Sequence, residues 1–248
     1  MCKFTQELLI RYTRRENRMV HLLKLEIRKF RLPRKIMTAI FAVAFCILFI
    51  TVSLVDSMTD PEQTKDTFES TFLVIGLLVS FIFLIYSSIL TSTLVISEYS
   101  QRTITILFSY PLNKKLLIVI KMMLIMAFTA ISLLFGYVCC CGYIVGMDYA
   151  FDMLEGSFQI SYLSEWVPMA VTSTIICSAL SWWPFVIGMI KKSVPATIVT
   201  SLIVLFVRQL IITKNPTNQE NLFQAVLVLI VTLVAVMIVF REKVTKID

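Results

Sequence analysis

Six apolar runs decide what this chain can become. Residues 36–55, 72–96, 116–147, 166–190, 194–213 and 222–240 consist almost entirely of apolar or small side chains. Each approaches or exceeds the roughly 20 residues that a helix needs to cross the hydrocarbon core of a bilayer. Inside that core every backbone amide must be bonded within its own segment, so uninterrupted runs of this length predict membrane-spanning helices. Composition agrees: 58% of the 248 residues are hydrophobic, 16% are charged, and mean hydropathy is +0.84. Soluble domains hold about 25% charged residues, so there is too little polar side chain here to coat a globule. A soluble enzyme, a collagen, a disordered tail and a secreted disulfide scaffold are all excluded. The expectation is an all-α, multi-pass membrane protein with a single transmembrane domain over 36–240.

Charge is segregated along the chain. Residues 1–35 carry eleven Lys or Arg against three acids, and the tail 241–248 is short and polar. Six spans put both termini on one side. Of the 23 basic residues, 20 lie in the N-terminus, the second and fourth loops and the tail, whereas the other loops hold only Lys65 and Lys214. The positive-inside rule then places both termini in the cytoplasm, N-in and C-in. The two larger outer loops are acidic, with Asp56, Asp60, Glu62, Asp66 and Glu69 in the first and Asp148, Asp152, Glu155 and Glu165 in the second. In a soluble protein the net charge of +7 would suggest nucleic acid; here topology accounts for it, and no nucleic-acid partner is expected.

The first run is too long for a signal-peptide core and lacks a cleavage site after it, so it reads as a retained helix. The third is too long for a straight crossing, and a surface turn or strong tilt is expected before Lys121. The fourth should kink near Trp182, Trp183 and Pro184, with Lys191 and Lys192 forming a tight hinge to the fifth. Trp166, Trp182 and Trp183 near span ends fit an interfacial belt. Gly142 and Gly146 form a G-x-x-x-G, a candidate close-packing face. Five of the six cysteines lie in apolar runs and read as free thiols. Cys139, Cys140 and Cys141 are about 100° apart around a helix and do not converge on one metal. With His21 as the sole histidine, no metal site and no catalytic residues are expected.

Two segments outside the spans have pattern. Residues 19–32 (MVHLLKLEIRKFRL) place Met19, Val20, Leu22, Leu23, Ile27 and Phe30 on one face of a helix, with His21, Lys24, Arg28 and Arg31 on another. A membrane-surface helix with its basic groups toward lipid phosphates has this character, and a plain basic flank is the alternative. Residues 1–18 lack such patterning, which raises Met19 beside Met1 as the native start. Between spans two and three, Glu98 and Arg102 stand i, i+4, spaced to pair on a helix surface, and Pro111 ends that helix. The segment is too apolar for a solvated loop and too polar to cross; it suits a short helix at the cytoplasmic face, and an interfacial loop is the alternative.

Glu98-Tyr99, Thr103, Leu107, Pro111 and Lys114, with Lys121 further on, resemble the E-[FY]-x-x-x-T-x-x-x-L-x-x-x-P segment between the second and third spans of type-2 ABC-transporter permeases. The LLKLEIRKF of residues 22–30 is similar to their amphipathic elbow helix. In texture the chain looks most like the small permeases of bacterial bacitracin, lantibiotic and other peptide exporters. The resemblance implies a dimer, with a second copy or a paralogous permease, each protomer served by a separate ATP-binding subunit. Glu98, Tyr99, Arg102, Thr103, Leu107 and Pro111 would form the coupling helix that receives nucleotide-driven motion, and Lys24, Arg28 and Arg31 would hold the elbow helix on membrane lipid. No G-x-x-x-x-G-K-[ST] phosphate loop occurs in this chain, so it would bind no cofactor itself, and ATP and Mg would sit on the partner. The implied activity is export of a hydrophobic or amphipathic substrate, such as a peptide antibiotic or toxin. The family's re-entrant helices between spans five and six have little room here, because about nine polar residues separate them.

Arg208 is a full charge inside the fifth span. Arginine in hydrocarbon costs several kcal/mol and marks a functional candidate; it reads either as a snorkelling anchor or as part of a gate or substrate path. The competing class, an intramembrane enzyme, lacks converging acid, base or metal-ligating residues. An ATP-independent channel or membrane scaffold is the other alternative, and partner dependence discriminates it.

Overall fold

The computed structural model describes residues 32–59, 67–96, 114–151, 160–191, 193–211 and 218–239. The elbow segment up to Arg31 and the coupling segment with Glu98, Tyr99, Arg102, Thr103, Leu107 and Pro111 lie outside the described residues. The elements within them are helices: α1 (Leu32–Thr59), α2 (Phe68–Thr91) running into a π-helical turn (Ser92–Ile96), α3 (Lys114–Phe151), α4 (Ile160–Leu180), α5 (Trp183–Lys191), α6 (Val194–Ile211) and α7 (Asn218–Val239). Four stretches are long and apolar enough to cross a membrane: Leu32–Asp56, Ser70–Ile96, Ile118–Phe151 and Tyr162–Lys191. Val194–Gln209 and Val226–Ile238 are shorter apolar helices within the fifth and sixth apolar runs.

Helices outrun the apolar runs at several ends. Asp56, Glu69, Asp148 and Glu165, expected in loops, are all helical. A helix satisfies its own backbone whether lipid or water surrounds it, so a charged residue need not end it. The Thr67 side chain accepts from the Ser70 N–H at 3.4 Å and caps α2. Of the surface turn or strong tilt expected before Lys121, the turn is absent and the tilt is left: α3 is one helix of 38 residues, about 57 Å long at 1.5 Å per residue. Lys121 is accommodated by a partner on a neighbouring helix instead, as described below. The break at Trp182–Trp183–Pro184 is present, with a turn at Ser181–Trp182 separating α4 from α5. Pro184 falls in the first turn of α5, where its missing N–H has no helical acceptor to satisfy.

α2 is the central post and packs against α1, α3, α4, α5 and α6, while α7 lies on α4 and α5. Its Phe68 end is bound by rings. Phe68 stacks on Tyr162 with centroids 5.8 Å apart, Phe72 meets Trp166 at 5.4 Å, and Tyr137 meets Trp166 edge to face at 5.9 Å. Trp166 is thus buried among aromatic side chains rather than set in a lipid-facing belt. Trp183 likewise points inward, donating from Nε1 to Thr232 Oγ1 at 3.2 Å.

Hydroxyl groups stitch the helices together. Ser80 shares a hydrogen bond with Tyr137 at 2.8 Å, Thr129 donates to Ser87 at 3.2 Å, and Ser201 donates to Ser88 at 3.1 Å. Thr38 meets Tyr86 at 2.6 Å and Thr51 meets Tyr143 at 2.7 Å. Each such interhelical bond contributes about 0.6 kcal/mol in a membrane; their distribution over α1, α2, α3 and α6 fixes register more than it adds stability.

Close backbone approach occurs at different glycines from those the sequence suggests. A Cβ on Gly142 or Gly146 would meet nothing within 4 Å in this chain. At Gly188 it would strike Ile96 Cδ1 at 2.8 Å and Thr197 Oγ1 at 2.9 Å. Gly188→Val is therefore expected to cost about 1–3 kcal/mol by overpacking, seen as a lower unfolding midpoint of the detergent-solubilised protein. Gly142→Val should leave that midpoint unchanged.

Candidate functional site

Two regions combine polar chemistry with a position that matters to the bundle. The first is the π-helical turn, whose last residue is two positions before Glu98. A π turn widens the i→i+4 ladder to i→i+5, and such turns concentrate at functional sites. Here it is held from three sides. Lys121, 4% exposed, reaches across from α3 and donates from Nζ to the Leu94 carbonyl at 3.2 Å. Ile96 is fully buried over Gly188 of α5 and beside Thr197 of α6. The Thr93 hydroxyl donates back to the Ile89 carbonyl at 2.8 Å. Leu90, Val95, Ile118, Met122, Ile125, Phe185 and Met189 complete an apolar cluster around the turn. The end of the central helix that leads into the Glu98 segment is therefore fastened to α3, α5 and α6 together, and a displacement of that end must move all three.

The second region surrounds Arg208, near the last turn of α6. The structure places its side chain inside the bundle, 7% exposed, with Nε lacking a hydrogen-bond partner among the described residues. Arg208 lines two cavities, one on each flank of α6. One, about 500 Å³, lies between α1, α2 and α6 and includes Phe45, Phe49, Leu77, Phe81 and Leu205. The other, about 430 Å³, lies among α4, α5, α6 and α7 and includes Ile176, Leu180, Trp183, Val204 and Val231. Among the described residues, no Asp or Glu lines either cavity. The guanidinium is close enough to act electrostatically on Tyr137, whose hydroxyl is tied to Ser80. A buried guanidinium with an open donor and apolar walls has the chemistry to receive an anion attached to a hydrophobic body.

Lys24, Arg28 and Arg31 lie outside the described residues, as does the coupling segment, so of the candidate coupling, elbow and gate residues Arg208 alone is among the described residues. Sequence reasoning missed Lys121 as a buried brace and the hydroxyl ladder. A signal for the ladder is present: Ser80, Ser87 and Ser88, which make its bonds on α2, recur at a seven- or eight-residue step, one face of a helix. The five described cysteines are free thiols, with Cys46 and Cys140 meeting between α1 and α3. Among the described residues, no three of His, Cys, Asp and Glu come together as a metal site.

The family model described as "ABC-2 family transporter protein" matches residues 22–208. The uncharacterized protein YcbO of Bacillus subtilis (strain 168) is 26% identical over 198 residues, which cover 75% of this chain and 81% of that protein. No solved structure matches.

Proposed function

Because the chain belongs to the ABC-2 transporter family, whose members are multi-pass membrane subunits with ATP hydrolysis on separate subunits, we propose that it is the permease of an ATP-driven exporter in a bacterial cytoplasmic membrane. The observation that carries this reading is the extent of the family match, which runs from the elbow segment through α6 over a bundle of apolar helices. In this reading six spans place both termini in the cytoplasm, and two permease copies, or this permease and a paralogue, form the pathway. The substrate is hydrophobic or amphipathic, and the size and texture of the chain favour a peptide antibiotic or toxin. Glu98, Tyr99, Arg102, Thr103, Leu107 and Pro111 form the coupling helix that docks on the ATP-binding subunit.

The fastened π turn supports that assignment physically. Motion imposed on the Glu98 segment reaches the central helix within two residues, and through Lys121 and Ile96 it reaches α3, α5 and α6. The test is affinity purification from the native host in mild detergent, with mass spectrometry and an ATPase assay. An ATP-binding subunit is expected to co-purify; a stable oligomer without ATPase partner or activity overturns the reading and leaves a channel or scaffold.

A further inference from the structure

We infer that the Arg208 cavities bind an anionic phospholipid, with its phosphate on the guanidinium and its acyl chains in the apolar grooves beside α6. Three observations meet here. Arg208 is more than nine-tenths buried, and its Nε has no partner among the described residues. Leaving a buried charged donor unpaired costs more than the bond itself contributes, so an anion is the missing component. The lining is otherwise almost wholly hydrocarbon and aromatic, with Phe45, Phe81 and Leu205 on one flank and Leu180, Val204 and Val231 on the other. A small inorganic anion would satisfy the guanidinium yet leave these cavities unfilled, and their volumes of about 500 and 430 Å³ fall in the roughly 300–1,000 Å³ range of ligand sites.

Position selects the source. Arg208 is in the last turn of α6, three residues from its end at Ile211, about 4.5 Å along the axis, near enough to the bilayer surface in this reading for a lipid phosphate to reach the guanidinium. Phe45, Phe49, Phe206 and Val207 beside it are half or more exposed, which gives acyl chains entry from the bilayer. A second copy of the chain is a poorer occupant, because a symmetric contact at this residue sets one Arg208 against another. The proposal rests on the membrane-spanning reading of α6 and is independent of the ATP-binding subunit.

The test is native mass spectrometry of the full-length purified permease with phosphatidylglycerol, phosphatidylethanolamine or inorganic phosphate as probes. Phosphatidylglycerol adducts are expected to survive activation that strips phosphatidylethanolamine. Arg208→Gln should weaken them about tenfold or more, the range expected for losing a charge-assisted bond, while Arg208→Lys retains part of the binding. Val204→Trp, which fills a groove and keeps the charge, should also weaken them, and this covers the case in which Arg208→Gln fails to fold. Equal retention of both lipids, or wild-type retention in Arg208→Gln, overturns the proposal. Displacement of the lipid by inorganic phosphate at comparable concentration overturns the assignment to a lipid. Since binding is read on the permease alone, a negative result here leaves the transporter reading standing, and a missing ATPase partner leaves this one standing.

Discussion

Replacing both Glu98 and Arg102 with alanine is expected to abolish co-purification of the ATP-binding subunit and all stimulated ATP hydrolysis, while thermal unfolding of the permease barely changes. An i, i+4 pair on a helix surface contributes only about 0.2–0.5 kcal/mol to that helix. The same two charges at a contact with a partner act differently, since truncating one member of a buried, hydrogen-bonded pair costs roughly 2–5 kcal/mol of binding. The two magnitudes separate the hypotheses. If the pair only supports a local helix, ATPase coupling survives the double substitution. If it meets the nucleotide-binding partner, coupling is lost and stability is not. Single substitutions should each recover less than half of the coupling if the two residues act as a unit.

The second large effect is structural. Trp166→Ala is expected to destabilise the bundle by about 3 kcal/mol, read from the unfolding midpoint in detergent. Removing a large aromatic side chain from a soluble core costs about 3–5 kcal/mol, part of which is transfer from water. In a bilayer that part shrinks, because the separated helices remain in hydrocarbon, and the lower end of the range applies. Trp166 holds Phe72 of α2 at 5.4 Å and Tyr137 of α3 at 5.9 Å, so alanine opens a cavity among three helices at once. Trp166→Phe should restore most of the loss. A shift below 1 kcal/mol for Trp166→Ala would show that the ring faces lipid after all.

That contrast shows what was legible in the sequence and what was not. Apolar length is a property of one segment, so the helical class and the break at Trp182–Pro184 can be read directly. Burial of Trp166 is a property of pairs of helices, and span-end position alone suggested an interfacial belt. Lys121 misled for a related reason. A lysine inside an apolar run looks like a place where the chain must return to water, yet Lys121 stays buried and donates to the Leu94 carbonyl on the neighbouring helix. The acceptor lies in the π turn, which no periodicity announces. Gly142 and Gly146 matched a packing motif and meet nothing within the chain, whereas Gly188, outside any motif, is closely covered. Arg208 was visible as an isolated charge. Its two cavities were not, because their walls come from six helices.

The π turn also has a consequence for chain length. A π turn amounts to one residue inserted into an α-helix, with the flanks keeping their orientation. Elsewhere in α2, an inserted or deleted residue rotates everything beyond it by about 100° and slides it about 1.5 Å, which in the proposed coupling role would turn the Glu98 face away from a docked partner. Within Ser92–Ile96, loss of one residue converts the wide turn to an ordinary one and leaves the angular setting of the following segment nearly intact. In the proposed coupling role the turn would work as a phase adjuster: relatives with spans of unequal length could keep one docking direction by gaining or losing it.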